Sequence, residues 1–149
     1  MLRRLSIFVG PFTMEAALGV VTGGLVDDAA VFAAIDSLIA KSMVATRPVG
    51  AMMRYRLLDT TRAYAQQITE ESERTALAVR HAEYHRRWLD QLKAEWPTLS
   101  NAAERGPILS AMNNVRAALQ WCFGPGGDAG LGIALAAAAA PVFLAMSLL

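Results

Sequence analysis

Cysteine is almost absent from this chain of 149 residues, in which Cys122 is the single one. An internal disulfide is therefore excluded, and a chain without a disulfide framework is typical of a reducing compartment, so we expect a cytoplasmic protein. We also expect no secretory signal, because Gly10, Pro11 and Glu15 interrupt the short apolar run near the N-terminus.

Catalytic and nucleotide-binding motifs are missing as well. The sequence contains no G-x-x-x-x-G-K-[ST] phosphate loop, whose backbone amides and lysine cradle nucleotide phosphates. Its two histidines, His81 and His85, are one helical turn apart but have no evident third metal ligand. Ala82 stands where a zincin has its glutamate, and no nucleophile-elbow motif supports a hydrolase triad. We therefore predict no enzymatic activity, no cofactor and no metal site.

Charge is scarce and nearly balanced. Charged residues make up 18% of the chain, apolar residues 54%, and the formal net charge is +1. This composition predicts a folded protein with one ordinary domain or two small ones, and it gives no overall electrostatic argument for nucleic-acid binding. Residues 130–149 carry no charge, but they are rich in alanine and glycine and contain Pro141, so a membrane span is not favoured.

The first forty residues predict three short helices. Residues 2–8 have leucine or phenylalanine at every third position and precede a Gly-Pro pair that ends the first helix. Thr13 is suited to cap a second helix, and Asp27 or Asp28 to cap a third. The third helix has an apolar stripe at helical spacing. Its members are Val31, Phe32, Ile35, Leu38 and Ile39.

Two short runs, "MVATRPV" and "MRYRLL", follow the third helix and are separated by "GA". In the second run Tyr55 and Leu57 share one face of a strand, and Arg54 and Arg56 share the other, which predicts a β-hairpin. Three helices followed by a hairpin is the order of a winged helix-turn-helix, in which the hairpin is the wing. We assign residues 1–71 to this winged-helix-like domain.

The second half of the chain predicts longer helices. A helix from roughly Glu73 to Trp96, ended by Pro97, and a polar linker form a connecting segment over residues 72–107. Residues 108–149 contain a second apolar stripe, the loop "GPGGDAG" and an alanine-rich helix. Two antiparallel helices with a short loop are what one tetratricopeptide-like unit requires, although no 34-residue self-similarity is visible. The predicted fold is mainly α: a winged helix-turn-helix followed by TPR-like helical hairpins.

Three segments together resemble a known family: "LRRLSIFVGPFTMEAA", "LIAKSMVATRPVGAMMRYRLLDTTRAYA" and "RHAEYHRRWL" with "NNVRAALQWC". Their order and separation are similar to the region that follows the NB-ARC nucleotide-binding domain in bacterial STAND-type ATPases, many of which are transcriptional regulators. The resemblance implies that the winged helix packs on a nucleotide-binding domain and helps to hold a resting state. It also implies that helical repeats sense a ligand or a partner.

One departure from that family falls in "RLLDTTR". Some relatives carry a Met-His-Asp signature there, whose histidine touches the bound nucleotide, and the matching positions are Leu57, Leu58 and Asp59. With Leu58 in place of histidine, we do not expect direct phosphate contact from this position. Asp59 is suited to cap the following helix through its carboxylate.

Two groups of polar residues are candidates for binding. Arg47, Arg54 and Arg56, with Asp59, are candidates for contacts with another domain or with phosphates, and a solvated wing is the alternative. The outward positions of the third helix offer Asp36, Ser37 and Lys41 rather than the side chains that read base edges, so we expect DNA binding to be weak. On the later helices the candidates for partner contacts are Asn113, Asn114 and Arg116.

These features predict a non-catalytic regulatory fragment of a STAND-type transcriptional regulator. Its partners are expected to be proteins, either an NTPase domain of the same polypeptide or a second copy. The alternative is a winged-helix module that binds DNA directly. Residues 131–149 contain no charged side chain, so we also expect a truncated chain whose last helix is covered by a following repeat or by self-association.

Overall fold

A computed structural model describes residues 1–49, 52–95 and 102–146, with only the backbone described for residues 102–105. The chain divides into two compact units, Met1–Leu77 and Ala78–Leu149. The predicted helix end at Trp96 and Pro97 lies outside the described residues.

The first unit begins with three helices, α1 (Leu2–Leu5), α2 (Met14–Val21) and α3 (Asp28–Ala40). The hydroxyl of Thr13 accepts a hydrogen bond from the backbone amide of Ala16 at 3.0 Å, and the Asp27 carboxylate accepts one from the amide of Ala30 at 2.8 Å. Both side chains satisfy amides that have no partner within the helix, which confirms the predicted caps and selects Asp27 over Asp28.

A side chain of α1 stabilises the turn between α2 and α3. Gly24 adopts a φ of 64°, a conformation that suits glycine. The guanidinium of Arg4 donates to the carbonyl oxygens of Val21 at 2.8 Å and Gly23 at 3.1 Å. A cation that also satisfies the last carbonyls of a helix stabilises its C-terminus, so Arg4 fixes the end of α2 and the start of the turn.

A β-hairpin follows, made of β1 (Val44–Val49) and β2 (Met52–Leu57) in antiparallel register. Val44 and Leu57 lie opposite each other and are both buried. Phe12 and Tyr55 exchange two backbone hydrogen bonds of 2.8 Å, which adds a short third segment to the sheet. Helices α1 to α3 followed by this hairpin form a winged helix-turn-helix, as predicted from the sequence.

Helix α4 (Asp59–Gln67) packs back on the start of the chain. The Arg62 guanidinium donates to the carbonyl of Phe8 at 2.8 Å. Leu5, Phe8 and Ile35 are almost fully buried, and each contributes about 1.5–3 kcal/mol by removing its apolar surface from water. The first unit therefore has a hydrophobic core of its own.

The second unit is helical. Helix α5 (Glu71–Glu95) starts before the unit boundary, and α6 (Ala102–Phe123) and α7 (Ala129–Ala145) follow. Buried side chains of all three helices form one core, and its largest fully buried members include Leu89, Met112 and Leu135. The unit is built from helix-on-helix packing.

Three details differ from the sequence prediction. Residues 102–107, expected to be linker, belong to α6, and Pro107 lies inside that helix. Pro141, where a kink or a break of the last helix is expected, lies inside α7, which continues to Ala145. Phe32, expected in the buried stripe of α3, is 45% exposed, because α3 buries only Val31 and Ile35.

Within the described part of the chain no helix is both long and apolar enough to cross a membrane.

Candidate interaction surfaces

The exposed side of α3 carries a row of three residues, Asp28, Phe32 and Asp36, spaced one helical turn apart, which we call the α3 ridge. All three are exposed. Asp28 accepts a hydrogen bond from the Thr22 hydroxyl at 3.2 Å. Asp36 has no ion pair or side-chain hydrogen bond among the residues that the structure describes. The ridge therefore presents an aromatic ring between two carboxylates.

The other exposed positions of α3 are mostly small. They are Ala29, Ala30, Ala33, Ser37 and Ala40. Base edges in the major groove are read most strongly by paired hydrogen bonds from Arg, Lys, Asn and Gln, and none of these residues occurs in α3. Lys41 stands only at the C-cap. The carboxylates of Asp28 and Asp36 would repel phosphates, so the chemistry of this helix does not suit entry into a DNA groove.

The wing brings its three arginines to one face. In the observed register Arg47 pairs with Arg54, and Arg56 pairs with Ala45. Because side chains alternate between the two faces of a strand, Arg47, Arg54 and Arg56 lie on the same side, opposite the side of buried Val44. We call these three residues the arginine face. The sequence pattern predicts that Arg54 and Arg56 share a face of the strand, and the register shows that Arg47 lies on the same face of the hairpin.

A cross-strand pair of like charges costs stability. Opposed side chains of the same sign destabilise a hairpin by about 0.2–1 kcal/mol. Among the described residues, Arg47 has no carboxylate partner, whereas Arg56 pairs with Asp59 at 3.2 Å in an exposed contact. Such exposed pairs contribute little, so Arg47 and Arg56 keep most of their positive charge for a ligand.

Asp59 does not cap α4, which corrects the prediction. The N-cap position is Leu58, which has no side-chain acceptor, and Asp59 is the first residue of the helix. Its carboxylate instead pairs with Arg56. Leu57 is buried and Leu58 is 44% exposed, so Asp59 is the one polar residue at the three positions that match the Met-His-Asp signature.

The predicted polar group on α6 is separated by the structure. Asn114 is 2% exposed, and its Oδ1 lies 3.2 Å from Nε2 of His81. Asn113 and Arg116 are exposed and hydrogen-bonded to each other at 3.4 Å. The Arg116 guanidinium also lies 5.6 Å from the ring centroid of Phe143. Asn114 therefore belongs to the interior of the second unit, and it is wrong to group it with Asn113 and Arg116 as a surface.

Two buried histidines lie one turn apart on α5, and His81, the first of them, contacts Asn114. Nδ1 of His85 donates to the carbonyl of His81 at 2.7 Å, and the two imidazole rings are 4.5 Å apart. Desolvation by burial lowers the pKa of His85 to about 4, against the weaker opposing effect of that hydrogen bond. His85 is therefore neutral near pH 7. Among the described residues no group of three metal-ligating side chains occurs. Both histidines are buried and hydrogen-bonded within the second unit.

Comparison with known proteins agrees with the fold of the first unit. Residues 1–70 match the model of the family described as winged helix-turn-helix domain. These residues are a winged helix-turn-helix domain.

Relatives occur in mycobacteria. The chain is 31% identical over 122 residues to a protein of Mycobacterium tuberculosis named "Putative HTH-type transcriptional regulator", and equally so to a protein of the same name in Mycobacterium bovis. Each alignment covers 80% of this chain and 13% of the relative, so the chain spans a small part of the length of those proteins. No solved structure gives a significant match.

Proposed function

We propose that residues 1–70, a winged helix-turn-helix domain, serve a transcriptional regulator as a protein-binding module in which α3 contacts protein rather than DNA bases. The observation that carries the proposal is the α3 ridge, with Phe32 exposed between Asp28 and Asp36. A half-exposed aromatic ring is a typical anchor of protein interfaces, whereas carboxylates oppose binding to phosphates. The names of the mycobacterial relatives support a role in transcription, and hence in the cytoplasm.

The resemblance to STAND-type regulators suggests which protein α3 would contact. In such a regulator the winged helix would contact a nucleotide-binding domain of the same polypeptide or a second copy, and the helices of residues 108–149 would begin a sensing region. The relatives are long enough to hold further domains, since the matched region is 13% of their length. This region would then pass the conformational state of the nucleotide-binding domain to the helical region. ATP would be bound and hydrolysed by the nucleotide-binding domain, because this chain contains no phosphate loop.

Selection of DNA from a random duplex library by the purified chain tests this function. We expect no enriched sequence, because α3 has none of the Arg, Lys, Asn and Gln side chains that make the strongest contacts with base edges. An enriched motif that disappears on substitution of Phe32 or Asp36 by Ala would show that α3 reads DNA, and it would contradict the proposal.

A second candidate function is direct DNA binding through the wing, and the comparisons favour it. The family match and the names of the relatives suggest it, and the arginine face offers three cations to phosphates on one side of the hairpin. Contacts of this kind fix a protein on the duplex backbone without reading sequence. Affinity would then fall steeply with salt, because each neutralised phosphate releases a counterion.

Fluorescence anisotropy with a labelled duplex distinguishes the two functions. If the wing binds DNA, Arg47→Ala combined with Arg54→Ala should weaken binding strongly and reduce the slope of log K against log salt by about two. Arg87→Ala removes one positive charge from an exposed position of α5 and is the matched control. Unchanged affinity in the double variant would eliminate the second candidate.

A further inference from the structure

The α3 ridge has the chemistry of a receptor for guanidinium groups. Asp28 and Asp36 are eight residues apart on one helix, which places their Cα atoms about 12 Å apart with Phe32 between them. Carboxylates accept paired hydrogen bonds from arginine, and an aromatic face attracts the same cation. Arginine satisfies both preferences with one planar side chain, whereas lysine offers only a point charge. The ridge therefore favours a partner that presents two or more arginines.

This chain carries such a partner surface itself. The Arg47 and Arg54 positions are directly opposed in the hairpin, about 5 Å apart, and Arg56 is about 7 Å further along the strand from Arg54. Val49 and Met52 are the next pair on the same face toward the wing tip, so apolar surface lies beside the cations. The two surfaces are thus complementary in charge, and each combines charged with apolar groups.

We propose that the arginine face of one copy binds the α3 ridge of a second copy. The proposal deepens the proposed function, on which it rests, by naming the protein that α3 contacts. Seating the exposed Arg47 between the two carboxylates would relieve the like-charge repulsion in the hairpin and supply Asp36 with an ion-pair partner. Met52 would cover part of the Phe32 ring.

The contact joins two different surfaces, so it is heterologous. Each copy that donates its wing keeps a vacant α3 ridge, and each copy that donates its ridge keeps a vacant arginine face. Association of this kind produces a closed ring or an open chain rather than a two-fold dimer. It also competes with DNA for the arginine face.

Sedimentation equilibrium of the intact chain at low salt tests the proposal. We expect reversible association that weakens as salt rises, and at least tenfold weaker association for Asp36→Arg or for Arg47→Glu. Each variant loses one of the two surfaces and keeps the other. A mixture of the two variants in equal amounts should therefore form a one-to-one complex that grows no further, because the intact ridge of Arg47→Glu binds the intact wing of Asp36→Arg.

Glu83→Arg is the matched control, since it reverses an exposed charge in the second unit that belongs to neither surface, and it should associate like the unmodified chain. A chain that stays monomeric at low salt would overturn the proposal, as would association that survives both charge reversals, or a variant mixture that stays monomeric. None of these outcomes affects the proposed function, which fails if α3 contacts DNA.

Discussion

Nε2 of His81 on α5 lies 3.2 Å from Oδ1 of Asn114 on α6, and both side chains are almost completely buried. A polar contact in the interior is expensive to break, because the remaining partner loses a hydrogen bond without gaining water. This pair therefore ties two helices of the second unit together at one defined position along their length.

Replacing Asn114 by Ala should lower the free energy of unfolding by about 1–3 kcal/mol, since it leaves His81 with one partner fewer and creates a small cavity. Asn113→Ala changes an exposed neighbour and should stay within about 0.5 kcal/mol. Urea denaturation followed by circular dichroism compares the two variants. Equal effects would mean that the buried contact contributes nothing specific.

Acid should destabilise the protein through His85. Its pKa is about 4 in the folded state and 6.5 when unperturbed, so between these values the unfolded chain binds a proton that the folded chain does not. The contribution of His85 to the free energy of unfolding is therefore fully present above pH 6.5. It is lost as the pH falls from 6.5 to about 4, and it causes no further loss below about pH 4.

The His85 contribution amounts to about 3 kcal/mol from the difference between the two pKa values. His85→Gln removes the titrating group, so its stability should depend less on pH between 4 and 6.5 than that of the unmodified chain. If the free energy of unfolding changes equally with pH in the two proteins, His85 binds its proton as readily in the folded state as in the unfolded state, and the prediction is wrong.

Arg4 should matter more than its neighbour Arg3. Both pair with the Glu73 carboxylate, but only Arg4 also donates to the carbonyls that end α2. We expect Arg4→Ala to lower the thermal midpoint measurably, at a cost of about 1–2 kcal/mol, and Arg3→Ala to cost less than about 0.5 kcal/mol. Similar midpoints for the two variants would show that the carbonyl contacts do not stabilise the turn.

Gly132 allows α7 to approach α6 closely. A Cβ at this position would lie 2.8 Å from Cβ of Cys122 and 2.8 Å from the ring of Phe123. Gly132→Ala should therefore cost about 1–3 kcal/mol, because Cys122 is buried and cannot move freely. At Gly130 the same substitution meets only the Asp128 carboxylate at 3.4 Å and should be neutral or stabilising.

Nucleotide binding by the chain alone is not expected. Titration calorimetry with ATP and with ADP should give no heat of binding, since the sequence contains neither a phosphate loop nor its lysine. Binding in the micromolar range would place a nucleotide site within this chain and would contradict the assignment of ATP chemistry to another domain.

Local features of the fold were accessible from the sequence. The caps at Thr13 and Asp27 and the face shared by Arg54 and Arg56 depend on neighbouring residues, and such patterns predict helices and hairpins well. The order of these elements then indicated a winged helix-turn-helix, which the structure and the family match confirm.

Burial and partners were not accessible in the same way. Phe32 and Asn114 have the expected helical spacing, but which side of a helix faces a neighbour depends on packing between distant segments. For this reason the sequence pattern places Phe32 in the apolar stripe and Asn114 among the candidates for partner contacts, whereas Phe32 is 45% exposed and Asn114 is 2% exposed. Asp59 shows a related effect, since its pairing with Arg56 depends on the position where the hairpin ends.

The central claim is that α3 meets protein and not DNA. Nuclear magnetic resonance of the isotope-labelled chain, titrated first with duplex DNA and then with unlabelled chain at low salt, observes α3 directly. The account predicts that the amides of Asp28, Phe32 and Asp36 keep their chemical shifts when DNA is added and change them when the protein is added. Shifts of these amides on adding DNA, with none on adding protein, would contradict it.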